Sequence, residues 1–167
     1  HSGWIGGSVV NAGRERLCAA GRAGVPQLVA PGASDMVDVQ TWADLPARFA
    51  GRAYHAHNRL IASVHATTYE KRGLARLVCE RLGEARGPTA LLLPQRGIHA
   101  WDKAGQPMHD PEGHAAFLDA FRSAARPPIE LHDLDVHIND DAFVDQALAI
   151  FDRWVSAGHV PAGVRAA

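Results

Sequence analysis

Cysteine is almost missing from this chain: Cys18 and Cys79 are all that 167 residues hold, too few and too far apart for a disulfide framework or a CxxC metal knot. Both fall in stretches with helical patterning and read as small buried hydrophobes in a reducing compartment, which points to the cytoplasm. No apolar run approaches the roughly 20 residues that cross a bilayer, and His1 to Gly7 lacks the basic start and apolar stretch of a signal peptide. Neither sign of charge is in surplus. The formal net value of -1 argues against charge-driven partners, so neither nucleic acid nor a membrane is expected. The short motifs that announce a chemistry are absent as well: there is no GxxxxGK[ST], no GxGxxG after a strand, no HExxH and no GxSxG.

The composition that remains is that of an ordinary globular protein, 47% hydrophobic and 21% charged, with 16 glycines and 10 prolines. The length suits one domain with a real core. His1 and Ser2 read as the scar of an expression tag. Residues 1–7 are expected to be a tag scar or disordered lead, 8–156 a single lobe, and 157–167, rich in Ala, Gly and Pro, a flexible tail.

One unit recurs along the chain: a short apolar run, a loop of Gly, Pro, His and Asp, then an amphipathic helix. The runs are Gln27–Ala30, Ala53–His57, Ala90–Pro94 and Ile129–Val136. The third, Ala-Leu-Leu-Leu-Pro, is apolar throughout, as a strand covered on both faces should be. Helical stripes follow. Leu74, Leu77, Val78 and Leu82 form one, with Lys71, Arg72, Glu80 and Arg81 read as lying mostly away from it. Ala116, Phe117, Ala120, Phe121 and Ala124 form another, and Phe143, Val144, Ala147, Leu148, Phe151, Trp154 and Val155 the strongest. An earlier helix is expected over Ala12–Ala20, ending at Gly21; Met36–Arg52 is harder to read and is taken as helical. Strands alternating with helices predict an α/β fold, a Rossmann-like three-layer sandwich with a mainly parallel central sheet and helices on both faces.

In such sheets ligands bind beyond the carboxyl ends of the strands. That rule selects Pro31-Gly32-Ala33-Ser34-Asp35, then His57-Asn58, then Gln95-Arg96-Gly97 on to Asp102 and Asp110, and finally His137-Ile138-Asn139-Asp140. Each piece also has a structural reading. Pro31-Gly32 makes a tight turn, or lets a ligand approach backbone N–H groups. Asn139 or Asp140 suits the N-cap of the last helix, Thr67 or Thr68 that of the helix carrying Leu74, and Asp110-Pro111 starts another. Of the ten histidines, His55 and His57 lie two apart on one strand face, a spacing that holds a metal only with further ligands such as His137 or Asp35. No metal site is assigned. His99, His114, His132 and His159 read as surface or helix-end residues.

These loops also carry a resemblance. Ala12-Gly13, Arg16-Leu17, Ala23-Gly24-Val25-Pro26-Gln27, Pro31 through Val37, His57-Asn58, Leu93-Pro94 through Gly97 to Asp102, Gly105-Gln106-Pro107 with Asp110-Pro111, and His137-Ile138-Asn139-Asp140 with Phe143 keep order and spacing over roughly Gly7 to Val155. Together they resemble the carboxyl-terminal half of the tomato mosaic virus resistance protein-like family, whose members are classed as ATP-binding. The resemblance implies two successive Rossmann-like lobes, this chain being the second, with an amino-terminal lobe as its partner and ATP with Mg²⁺ as the cofactor. Two positions depart from the family pattern: His65 (with Ala66) stands where an arginine before a threonine is expected, and His99 where a serine is usual.

Three functions follow as expectations. The leading one is a lobe that binds ATP or another phosphate-bearing small molecule, with Gly32, Asp35, His57, Asn58, Gly97, Asp102, Asn139 and Asp140 forming the pocket. Backbone N–H groups at Gly32 and Gly97 would meet phosphate oxygens, and Asp35 or Asp102 would hold Mg²⁺ or a ribose hydroxyl. The second is an enzyme acting on a small carbonyl or phosphate metabolite, with His57 or His137 as general acid/base oriented by Asp35 or Asp102. The third is an interaction module building a homo-oligomer, suggested by Trp4, Trp42 and Trp101, which lie outside clear helical stripes.

Overall fold

The computed structural model describes residues 8–10, 12–13 and 15–160. The expected lead at 1–7, Trp4 within it, and most of the expected tail lie outside the described residues. The fold is α/β, as expected. Strands β1 (Gln27–Val29), β5 (Thr89–Pro94) and β6 (Ile129–Leu134) form a parallel sheet in the order β1-β5-β6. All six residues of β5 are buried, because helices cover both its faces. Pleating sends Leu91 and Leu93 to one side, where α2 (Thr68–Gly83) and α3 (Pro111–Ala124) contribute Leu74, Cys79, Leu82, Phe117 and Phe121. Ala90 and Leu92 point the other way, onto Ile150 and Trp154 of α4 (Asp141–Ser156).

Three expectations are corrected. The run Ala53–His57 does form a strand, but it does not join the parallel sheet. As β3 (Tyr54–Ala56) it pairs antiparallel with β4 (Ile61–His65), which pairs antiparallel with β2 (Met36–Gln40). Met36–Arg52, expected as helix, instead contains β2 and a 3-10 turn at Ala47–Phe49, whose Phe49 is fully buried with Val37, Val39, Ala62 and Val64 in a second small core. The alternation of a short run shows that it is a strand and says nothing of its neighbour. The helix expected over Ala12–Ala20 is reduced to α1 (Ala19–Arg22), a single turn. Leu17 just before it has φ 71°, a left-handed conformation that interrupts any longer helix.

The antiparallel sheet is an excursion between β1 and α2. It leaves the end of β1, turns twice, and returns at His65 to the start of α2. There Thr67 caps the helix in a reciprocal box: its hydroxyl accepts from Glu70 N–H at 3.2 Å, and the Glu70 carboxylate accepts from Thr67 N–H at 2.8 Å. Arg52, from the loop before β3, pairs with the same Glu70 at 2.6 Å and ties the excursion to the helix. Burial pushes the Cys79 thiol of α2 up to about 11, so this cysteine is inert packing.

Leu91→Ala should test how far β5 carries the core. Its side chain is completely buried between α2, α3 and the sheet. A loss of about 3 kcal/mol in urea unfolding is expected; a loss below about 1 kcal/mol would show that the two-sided packing is not what holds the fold.

Candidate functional site

The loops after β1, β5 and β6 meet at the carboxyl edge of the parallel sheet. Ala33 N–H donates to Ile98 O at 3.0 Å, and Ile138 N–H donates to Gly97 O at 3.0 Å. The excursion arrives at the same place: Met36 is in register with His65, and Ala66 N–H donates to Asp35 O at 2.8 Å. Asp35, in β1's outgoing loop, is therefore held beside the last residue of β4.

Around Asp35 lies a buried polar cluster. Its Oδ2 is 3.3 Å from His65 Nε2 and 3.8 Å from Lys71 Nζ, and its Oδ1 is 3.4 Å from His99 Nε2. The Lys71 ammonium, fully buried, donates to Asp110 Oδ2 at 2.9 Å and meets His65 Nε2 at 3.0 Å. Asp110 also accepts from Gly113 N–H at 2.8 Å, capping α3. Burial opposes the charge on Asp35, but the His65 and His99 contacts and the Lys71 charge outweigh it and hold the carboxyl well below the usual range. Burial also opposes ionisation of Asp110, whose pKa is nevertheless lowered by Lys71 and by its cap.

Hydrogen bonds assign two tautomers. His137 Nδ1 accepts from Asn139 N–H at 3.1 Å, so its proton is on Nε2, which donates to Asp102 Oδ1 at 3.1 Å. His99 Nδ1 accepts from Trp101 N–H at 3.3 Å, which puts its proton on Nε2, facing Asp35. That contact is too long or bent for a good hydrogen bond, and neither Asp35 Oδ1 nor His99 Nε2 makes another; His99 Nε2 also lies 4.0 Å from Asp102 Oδ2. His65 is different: its Nε2 cannot both accept from Lys71 and donate to Asp35. Which of the two contacts it makes depends on its tautomer.

A cavity of about 380 Å³ opens on this cluster, lined by Asp35, Gly97, Asp102, His109, Asp110 and His114 among others. Gly97 has φ 132°, and a Cβ on it would come within 2.6 Å of His137 Cδ2 and closer still to Asp102 Oδ1. Only glycine fits. Asp102 in turn accepts from Ile98 N–H at 2.5 Å and His99 N–H at 3.1 Å, fixing the loop.

Of the residues selected from sequence, Asp35, Gly97, Asp102 and His137 come together. Gly32 packs on Ile138, 3.1 Å from its Cδ1 by a would-be Cβ, and lines a different cavity of about 450 Å³. Asp140 occupies the N-cap of α4 but makes no side-chain cap there; its carboxylate accepts from His137 N–H at 2.8 Å instead. Asn139 is exposed, and it touches the cluster through its backbone. His57 and Asn58 belong to the β3–β4 turn. Asn58 Oδ1 accepts from Leu60 and Ile61 N–H groups, and His57 reaches the rim only as an edge contact, 5.4 Å from the Trp101 ring. His55 packs on the same ring at 4.2 Å, and among the described residues no three His, Cys, Asp or Glu side chains are grouped to hold a metal.

Three central residues lie outside the sequence selection. His99 is buried, not a surface histidine, and His65 stands out in the sequence only as a departure from the family pattern. Lys71 is buried, not turned away from the apolar stripe, and residues 71, 74, 75, 78 and 82 share one helical face. That spacing is the signal in the sequence that marks it.

Residues 3–155 match the family model described as "Uncharacterised protein family (UPF0261) C-terminal domain". The chain belongs to this family. It is 48% identical over 157 residues to a UPF0261 protein of Brucella melitensis and 47% identical over 157 residues to one of Brucella suis, covering 94% of this chain in each case. This UPF0261 domain spans only 38% of the length of either relative. The expected tomato resemblance is also found: the ToMV susceptible protein tm-1(GCR26) of Solanum lycopersicum is 27% identical over 141 residues, 81% of this chain and 18% of that protein.

The pKa shifts set a pH dependence. Asp35 and Asp110 titrate lower in the folded state than their unfolded value of about 3.9, so the stability they contribute is present above about pH 4 and is lost as pH falls toward the folded values. Burial lowers the pKa of His114, so the unfolded chain takes up that proton first and loss begins below about pH 6.5. The urea midpoint should therefore decline in two stages on acidification, the upper one removed in His114→Gln and the lower one flattened in Asp35→Asn. A midpoint constant from pH 7 to pH 3 would contradict this assignment.

Proposed function

We propose that this domain supplies one wall of a small-molecule site at the carboxyl edge of its parallel sheet, and that the ligand is ATP or another phosphate-bearing molecule. The observation that carries this reading is the buried Asp35 Oδ1, beside an open cavity, whose one contact is a charge contact to His99 Nε2 at 3.4 Å that is no good hydrogen bond. A buried carboxylate oxygen without a hydrogen bond costs free energy, and a ligand that supplies a donor or a cation lowers that cost. The volume of about 380 Å³ lies within the range of small-ligand pockets.

Mg²⁺ suits this donor set as an ion that arrives with phosphates, because it commonly takes one or two carboxylates and fills its shell with phosphate oxygens and water. Asp35 Oδ1 would be its protein ligand. The Lys71 ammonium would balance part of the remaining charge. In the longer chains of the family, the preceding lobe would close the opposite side of the pocket.

A second reading, acid/base catalysis on a small carbonyl or phosphate metabolite, is favoured by the Asp35–His65–Lys71 contact, in which one imidazole nitrogen lies between an ammonium and a carboxylate. His65 suits that role better than His57 or His137. Both ring nitrogens of His137 are engaged within the fold, and His57 sits out on the β3–β4 turn.

Calorimetric titration of the full two-lobed protein with Mg-ATP tests the first reading. Binding is expected, weakened at least tenfold by Asp35→Asn under conditions where circular dichroism shows the variant folded. Equal affinity in wild type and variant would remove Asp35 from the site. Turnover of a phosphate or carbonyl metabolite that is lost in His65→Gln would select the second reading.

A further inference from the structure

Helix α4 carries two apolar rows. Ile150 and Trp154 are buried on Ala90 and Leu92, with Phe143 and Ala147 beside them. The other row, Val144, Leu148, Phe151 and Val155, is spaced by four, three and four residues and remains 51, 53, 41 and 37% exposed. At about 3.6 residues per turn the two rows lie about 100° apart around the helix. A solvated helix face carries polar residues; this one carries Val, Leu, Phe and Val at the spacing of a helix–helix seam.

The direction in which that row faces is defined. Arg153 projects from the opposite flank of the buried row and pairs with Glu130 of β6 at 2.7 Å. The exposed row must then face the β1 side of the sheet. There Leu28, in register with Ala90 and so on the same sheet face, is 36% exposed. An uncovered strand face and the apolar flank of a helix make a corner in which α/β layers seat a further helix. On the solvent side of the row, Asp141, Asp145 and Asp152 form an exposed acidic border.

We propose that this α4–β1 corner seats an amphipathic helix from the polypeptide that precedes the domain in the full-length protein. That helix is apolar toward Leu28, Leu148 and Phe151 and basic toward Asp145 and Asp152. Three observations favour this occupant. The matched family model is a C-terminal domain, and this chain spans 38% of its Brucella relatives, so chain is available to fill the corner. The row continues an existing core layer, as an intramolecular helix pair does. A second copy docking by the same face would bring two acid-bordered rows together, which like charges oppose. The inference is independent of the ligand proposed above.

Cysteine labelling and cross-linking in the full-length protein provide the test. Leu148→Cys and Leu28→Cys should react with a maleimide at least tenfold more slowly than Ala149→Cys, which lies on the outer flank of α4. A photo-reactive residue at position 148 should then cross-link within one chain to a segment preceding this domain. Labelling of positions 148 and 28 as fast as position 149 would overturn the proposal. So would cross-links between copies that fade on dilution, which identify a second copy as the occupant, or cross-links that stay within this domain.

Discussion

The rest of the site depends on keeping one carboxylate charged inside the protein. Asp35 is buried and ionised, and a buried charge is tolerated only where partners surround it. Those partners come from separate stretches of chain: His65 from the end of the antiparallel excursion, Lys71 from α2, and His99 from the loop after β5. Meeting the needs of Asp35 therefore closes the excursion onto the parallel sheet. The same polar group that defines the pocket also fastens its two walls.

Around that group the structure combines rigidity with one adjustable element. Gly97 gives up its side chain so that Asp102 and His137 can pack against its backbone, and Asp102 clamps two N–H groups of its own loop. His137 and His99 are each held in one tautomer by a backbone donor. His65 is not held in this way. It sits between the Lys71 ammonium and the Asp35 carboxylate, and its Nε2 can serve only one of them at a time.

The two faces of the sheet differ in how complete they are. On one, α2 and α3 pack against each other and bury Leu91 and Leu93, with Phe117 and Phe121 in ring contact at 4.8 Å. On the other, α4 is the one helix among the described residues that covers Ala90 and Leu92, with Leu134 and Val160 beside it, and Leu28 and the helix's own second apolar row remain exposed.

The α/β class, the strands of the parallel sheet and the carboxyl-edge loops were all legible in the chain, because they follow from local rules: an all-apolar run between helical stripes, and turn residues at strand ends. The caps at Thr67 and Asp110 were legible for the same reason, a side chain and an N–H group only three residues apart. The tertiary structure decided what depends on partners far along the chain. It assigned β3 to an antiparallel sheet, turned Lys71 inward against expectation, brought His65 and His99 to Asp35 and left His57 at the end of a turn. Periodicity records which way a side chain points relative to its own helix or strand. It carries no information on which distant group will be there to neutralise it, and that is settled only when the separate segments pack.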